Sequence, residues 1–353
     1  MKVAPLYHAL SSEGWCDPRV IHTGQHYDAN MSDAFFRDLG LPEPAHHLEV
    51  GSGTHAEQTG RTMIAYEAVA QCERPAAVVV VGDVNATAAC AMVGAKLWIP
   101  VVHLEAGLRS HDRRMPEEIN RLVTDAIADL LWTPSSDADA NLLAEGIGRG
   151  RIERVGNIMI DSFEMLRGRI ERAEAARRFG LDGIRYAVVT LHRPSNVDES
   201  QKLAELVDML EAVARQMRII FAVHPRTRRR LQQFGLEARI TRNSRITATE
   251  PLGYIEFMNL VRGSAIAITD SGGVQEETTY LGIPCVTLRE NTERPITVTE
   301  GTNRLLKPRD LPVAIHEVLA GSWPKGRCPE QWDGRTAQRA AASLHRFVAA
   351  RAA

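Results

Sequence analysis

Thr269-Asp270-Ser271-Gly272-Gly273-Val274-Gln275-Glu276-Glu277 is a run suited to holding an anion. The apolar Ala265-Ile266-Ala267-Ile268 before it reads as a buried strand, and the stretch after it reads as a helix closing at Gly282-Ile283-Pro284. A strand, a glycine turn and a helix start together aim backbone N–H groups at a ligand. Gly272 and Gly273 let a phosphate approach the main chain with no Cβ in the way, and Ser271 stands beside them. Glu276 and Glu277 suit the positive end of a helix dipole, yet they would repel a bare phosphate. A nucleoside diphosphate reconciles the two: its phosphates take the N–H groups while its ribose hydroxyls donate to a carboxylate.

Other strand ends carry the remaining reactive side chains. Gly82-Asp83-Val84-Asn85 follows one apolar run, and Glu105-Ala106-Gly107-Leu108-Arg109-Ser110 follows the next. Met115-Pro116-Glu117-Glu118-Ile119-Asn120-Arg121 opens a helix. Taken singly, Asp83 could be a helix N-cap, and Glu117 and Glu118 could be first-turn acids facing the dipole. Glu105 has no such explanation. An acid placed directly after an apolar strand is either paired with an arginine, such as Arg109, or held for proton transfer. In the second half, Leu191-His192-Arg193-Pro194-Ser195-Asn196 ends one strand and His224-Pro225 ends another, the latter readable as a simple turn. Imidazole and guanidinium at His192 and Arg193 could neutralise a leaving diphosphate, with Arg289 and Arg294 adding further cations nearby. Acids in one half and phosphate binders in the other point to chemistry on a sugar held between them.

These ends need strands and helices to position them. Apolar runs at 20–23, 76–82, 101–104 and 152–155 are followed by a second series at 186–191, 219–223, 246–248, 265–269 and 285–288. Their near-continuous Val and Ile content suits strands buried on both faces of a parallel sheet. Helical periodicity fills the gaps, as at 55–71, 117–131 and 200–216. The alternation predicts an α/β protein of two doubly wound, Rossmann-like domains, 1–170 and 171–335, with a helix at 336–353 packing back on the first. At 353 residues the chain exceeds one compact core.

Composition removes whole classes of function. A net charge of −2 offers no attraction to nucleic acid or to an anionic membrane. The Arg226-Thr227-Arg228-Arg229-Arg230 cluster reads as a solvated helix face. Five cysteines, an odd number without C-x-x-C spacing, argue against disulfides and structural zinc. With no apolar run of transmembrane length and no visible signal peptide, a cytoplasmic protein is expected.

The motifs together resemble those of the non-hydrolysing UDP-N-acetylglucosamine 2-epimerase family, whose two-domain architecture is similar to that of GT-B glycosyltransferases. The matching stretches are Gly24-Gln25-His26-Tyr27, Gly82 to Asn85, His103 to Ser110, Pro116 to Arg121, Leu191 to Asn196, Ser271 to Glu277 and Thr292-Glu293-Arg294-Pro295, in the family's order. The resemblance implies that Asp83, Glu105 and Glu117 surround the sugar, with Arg121 orienting them and His192 assisting near the diphosphate. It implies that Ser271, Gly272 and Gly273, with Arg193, Glu276 and Arg294, line the UDP site, and that Glu277 takes the ribose. The implied reaction inverts C2 by anti elimination of UDP to 2-acetamidoglucal, followed by re-addition. It needs no cofactor and no metal. Which carboxylate takes the proton stays open. A homodimer is implied as well, and so is a second UDP-N-acetylglucosamine bound as activator near Gln25 and His26, a segment that could equally be a strand-end turn.

One departure stands out. Family members start with a buried strand and a Gly-x-Arg-Pro loop before the Lys-x-Ala-Pro helix, whereas this sequence opens inside that helix at Met1-Lys2-Val3-Ala4-Pro5. The expectation is a first domain whose central strand, between the strands near Val20 and Val79, is missing. That leaves unpaired edges, an apolar gap, and poor solubility or weak activity. Rival readings within the same fold are a related UDP-2-acetamido sugar as substrate, a hydrolysing epimerase and a GT-B glycosyltransferase. The rival outside enzymology is a nucleotide-sugar sensor, which clustered carboxylates disfavour because binding alone does not need them.

Overall fold

The computed structural model describes residues 1–24, 36 and 38–352, and divides the chain into two compact units. One comprises residues 1–165 and 330–353, the other residues 166–329. The division falls inside the helix Ile158–Arg172, and the chain re-enters the first unit at Glu330.

In the first unit, β1 (Ile21–His22) pairs in parallel with β2 (His46–His47). A separate parallel sheet follows the order β3 (Val78–Val81), β4 (Val101–Leu104), β5 (Leu130–Thr133) and β6 (Ile152–Arg154). Among the described residues no ladder joins β1 and β2 to β3. The helix Val3–Ser11 puts Leu6 and Leu10 into a cluster with Val102, Leu104 and Trp132. The same cluster receives Ala337, Ala340, Ala341 and Leu344 from the terminal helix Thr336–Ala352. Each fully buried leucine there stabilises by about 1.5–3 kcal/mol. Polar groups set the register of the terminal helix. Ala337 N–H donates to Asp161 Oδ1 at 2.8 Å, and Trp132 Nε1 donates to Ser343 Oγ at 2.8 Å. Val79 and Val81 of β3 are only half-buried against this cluster.

The second unit is one six-stranded parallel sheet: β7 (Tyr186–Thr190), β8 (Arg218–Ala222), β9 (Ile246–Thr249), β10 (Ile266–Thr269), β11 (Cys285–Thr287) and β12 (Asn303–Leu305). Its spatial order is β12-β11-β10-β7-β8-β9, so the winding reverses between β7 and β10. In such sheets a crevice opens beyond the carboxyl ends of the two strands at the reversal, which is where ligands bind. Those ends are Leu191-His192-Arg193 and Asp270-Ser271-Gly272. The helix Ser200–Ala214 turns Leu203, Leu206, Leu210 and Val213 onto β7 and β8.

Three short strands escaped the sequence reading: β2, β5 and β12. The expected helix over 117–131 stops at Ile127, and Leu130–Thr133 is a strand. Ala128 adopts an extended backbone, and Asp129 Oδ2 accepts the N–H of Val101 at 2.9 Å, which ties the turn to the neighbouring strand. Leu130 and Leu131 continue the apolar tally of the helix without a glycine or proline between, so periodicity alone could not separate the two. No helix among the described residues is long and apolar enough to cross a membrane.

Candidate active site

In the first unit the end of β4 is strained where the chemistry was expected. Glu105 has φ +73°, a left-handed conformation that costs a non-glycine residue about 1–2 kcal/mol. A bulge holds it there, because Glu105 N–H and Ala106 N–H both donate to the carbonyl of Trp132, at 3.1 and 3.0 Å. The Glu105 side chain is 3% exposed. Its Oε2 forms an ion pair with Lys2 Nζ, and its Oε1 is buried without a hydrogen-bond partner. Arg109, the partner suggested by sequence proximity, is committed elsewhere. It pairs with Asp125 at 2.7 Å and grips Glu145 through two bonds of 2.7 Å. The cation facing Glu105 is Lys2, 103 positions away. The signal for it was the lysine of the opening Lys-x-Ala-Pro helix.

At the end of β3, Gly82 takes φ +70° and its N–H donates to Leu104 O at 3.0 Å, which sets the neighbouring strand ends side by side. Asp83 follows, and its Oδ2 accepts from Arg121 Nη1 at 2.5 Å. Asn120 Nδ2 holds the Asp83 carbonyl at 2.9 Å. Arg121 is 1% exposed and also pairs with Glu118, so one guanidinium serves two carboxylates.

The two acids that open the helix Pro116–Ile127 have different tasks. Proline at the first position presets φ, and Glu117 and Glu118 face the dipole. Glu118 is buried and accepts the N–H groups of Ser110 and His111, both at 2.9 Å, as well as Ser110 Oγ at 3.0 Å. Burial would raise its pKa, but the Ser110 N–H and Arg121 outweigh burial and hold it below the ordinary carboxylate value. Glu118 therefore shapes the loop. Glu117 is half-buried and lies one turn before Arg121 on the same helix face.

In the second unit, Asp270 ties the two strand ends at the reversal. It is fully buried and accepts the N–H of His192 at 3.0 Å, the N–H of Arg193 at 2.9 Å and Asn196 Nδ2 at 3.0 Å. Its other oxygen faces His192 Nδ1 at 3.0 Å. Burial pushes its pKa up, but His192 and these donors win and hold it below the usual value. Replacing Asp270 by Ala is expected to destabilise the second unit by about 3–5 kcal/mol, because several buried donors lose their acceptor together. Denaturant unfolding of the variant measures this, and an unchanged midpoint counts against the assignment.

His192 and His224 lie with ring centroids 5.3 Å apart. His224 caps the helix Pro225–Gln233 by accepting Arg226 N–H at 3.1 Å, which is more than the simple turn expected. Nε of Arg193 is buried without a hydrogen-bond partner. Arg226 and Arg230 both grip Asp198, so the arginine-rich helix is locally neutralised.

The helix Gly272–Leu281 starts at the loop that ends β10, with Ser271 as N-cap. A Cβ on Gly272 would come within 2.6 Å of Arg294 Nη1 and 2.9 Å of Glu293 Oε1, so any larger residue there would have to displace the ends of these two paired side chains. Arg294 is held by Glu276 at 2.7 Å and Glu293 at 2.6 Å. Glu276 thus anchors the arginine. Glu277 is buried one residue on and accepts from Tyr254 Oη at 2.6 Å. Burial pushes its carboxyl up to about 8; the Tyr254 hydrogen bond only partly offsets this, and the neighbouring Glu276 adds to the rise. Gln25 and His26 lie outside the described residues.

The model of the UDP-N-acetylglucosamine 2-epimerase family matches residues 8–345. The UDP-N-acetylglucosamine 2-epimerase of Methanocaldococcus jannaschii is 45% identical over 311 residues, covering 87% of this chain and 85% of that protein. The UDP-2,3-diacetamido-2,3-dideoxy-D-glucuronate 2-epimerase of Pseudomonas aeruginosa is 41% identical over 312 residues, covering 87% and 84%. The crystal structure of the Methanocaldococcus jannaschii enzyme in complex with UDP-GlcNAc and UDP matches with a TM-score of 0.88 at 42% identity, covering 98% of this chain and 96% of that one. With a fold shared along almost its whole length, this chain belongs to the UDP-N-acetylglucosamine 2-epimerase family, a family of isomerases.

Proposed function

We propose that this protein interconverts UDP-N-acetylglucosamine and UDP-N-acetylmannosamine. The observation that carries the reading is the pair of carboxylates at adjacent strand ends: Glu105, buried, strained and matched to Lys2, and Asp83, matched to Arg121. Inversion at C2 needs one carboxylate to remove a weakly acidic proton and another group to return one to the opposite face. As the C2–H and C1–O bonds break, a C1=C2 double bond forms and the electron pair of C1–O leaves with UDP. Re-addition of the UDP oxygen to C1, with protonation at C2, completes the turnover. Charge gathering on UDP is met by His192, Arg193 and the N–H groups at the start of the helix Gly272–Leu281. Glu277 takes the ribose, and Glu117 joins the carboxylates around the sugar.

Turnover of UDP-N-acetylglucosamine in D₂O tests the reading. Deuterium at C2 with UDP still attached is the expected result. Free sugar would indicate hydrolysis, and no exchange would leave transfer or simple binding. The relative acting on a 2,3-diacetamido glucuronate sugar supports a second reading, in which the same C2 chemistry runs on a more modified hexose. Parallel incubation of both substrates separates the two. The family resemblance extends the proposal to a cytoplasmic homodimer activated by a second UDP-N-acetylglucosamine near Gln25 and His26.

A further inference from the structure

The proton-transfer scheme leaves unused a buried pair beneath both strand ends. His103 lies in β4 and Asp125 in the helix Pro116–Ile127, with side chains 0% and 1% exposed. His103 Nδ1 lies 2.5 Å from Asp125 Oδ1, and Nε2 lies 2.8 Å from the carbonyl oxygen of Gly82. A carbonyl oxygen only accepts, so Nε2 carries a proton. Asp125 Oδ2 accepts the N–H of Gly107 at 3.0 Å and pairs with Arg109 at 2.7 Å, as an ionised carboxylate does. Facing that carboxylate, Nδ1 donates as well. A ring with two donating nitrogens is an imidazolium.

The charges around the ring are Asp125 from the helix and Glu105 from the end of β4. Beyond them stand Arg109, gripped by Glu145, and Lys2, paired with Glu105. Burial alone would lower the pKa of His103; Asp125, the Gly82 carbonyl and Glu105 together overcome it and raise it. Burial likewise opposes ionisation of Asp125, but His103 and Arg109 hold it below the ordinary value. Both partners shift toward the ionised pair.

The two ends of this pair reach the two reactive loops. The Gly82 carbonyl belongs to the peptide that joins Gly82 to Asp83. The Gly107 N–H closes the turn that begins at Glu105. We propose that His103 is a positioning residue: a buried imidazolium, gripped by Asp125, that fixes the Gly82–Asp83 peptide and the 105–107 turn so that Asp83 and Glu105 stay in place for proton transfer. The proposal rests on the epimerase reading, and its first test does not depend on turnover.

Nitrogen NMR of the wild-type protein labelled in histidine, at about pH 7.5, is expected to show both ring nitrogens of His103 protonated. A ring with one bare nitrogen overturns the proposal, whatever the activity. The second test uses two variants. In His103→Asn the amide replaces Nδ1 and loses the Gly82 carbonyl, whereas in His103→Gln it replaces Nε2 and keeps that carbonyl. His103→Asn is expected to lower kcat about 100-fold with KM changed by less than about threefold, since a small misplacement of the reacting groups costs that much. His103→Gln is expected to recover about tenfold of the loss. A residue that only fills the core would lower the melting temperature of both variants without this ordering. Folded His103→Asn with wild-type kcat overturns the proposal, and if neither variant folds the NMR result decides. Failure of the wild type itself to exchange deuterium at C2 strikes the epimerase reading, and the protonation state of His103 is still measured.

Discussion

Replacing Glu105 by Gln is expected to lower the rate of C2 inversion by about 1,000-fold, the scale on which a positioned acid or base acts. Stability should change little. The substitution keeps the size of the side chain and leaves φ +73° as costly as before, because glutamine is no easier in the left-handed region. The ion pair with Lys2 is lost, yet Lys2 is 30% exposed and can be solvated, whereas Glu105 is 3% exposed and no longer buries a charge. Initial rates of deuterium exchange and of product formation, read by proton NMR beside a melting curve, separate chemistry from folding. A variant that melts with the wild type and still exchanges at the wild-type rate removes Glu105 from proton transfer.

Glu277→Gln, by contrast, is expected to raise stability and to weaken nucleotide binding. The folded carboxyl titrates at about 8, against an ordinary value of 4.5. Between these values the unfolded chain has released a proton that the folded chain retains, so wild-type stability falls as pH rises through this window and levels off above about 8. At neutral pH the penalty is on the order of 3 kcal/mol, and glutamine escapes it. Tyr254 still finds an acceptor in the amide oxygen, and the amide N–H replaces the proton that the neutral acid already carried. The melting temperature should rise by about 5–10 °C at neutral pH, with the gain vanishing below the ordinary carboxylate pKa.

Affinity for the UDP-sugar should fall about 10–100-fold in the same variant, because a charged acceptor for the ribose hydroxyls is lost. The ratio of wild-type to variant affinity isolates this one group from any other that titrates in the same range. That ratio should climb by about tenfold per pH unit up to the folded pKa and then stay flat. A flat ratio throughout, or a variant that melts lower, would show that Glu277 is ionised before the ligand arrives. A site that costs stability in the empty protein and regains it on binding is a common bargain at functional positions.

The strand-turn-helix run around Gly272 and the polar ends of the apolar strands could be read without coordinates. Each depends on backbone dihedrals and burial patterns that a few consecutive residues set by themselves. The alternation of strands and helices was legible for the same reason, and it gave way where strands were very short or followed a helix without a breaker. β2 and β12 are two and three residues long, and β5 follows a helix with no breaker between them. Periods cannot be counted in two or three residues, nor a boundary placed where one apolar pattern runs into the next.

Partnership lay beyond the reach of local pattern. Arg109, four residues after Glu105, binds Asp125 and Glu145, while Lys2 crosses 103 positions to reach Glu105. Glu117 and Glu118 are indistinguishable as letters, and only the docking of the 110–111 loop makes one of them a scaffold. Asp270 and the His103–Asp125 pair likewise acquire their roles from strands and helices brought together by the sheet order. Composition and spacing thus specified which reactive groups are present and which strand ends bear them. Which charge meets which was decided by topology, because a buried ion pair depends on distance and desolvation in three dimensions.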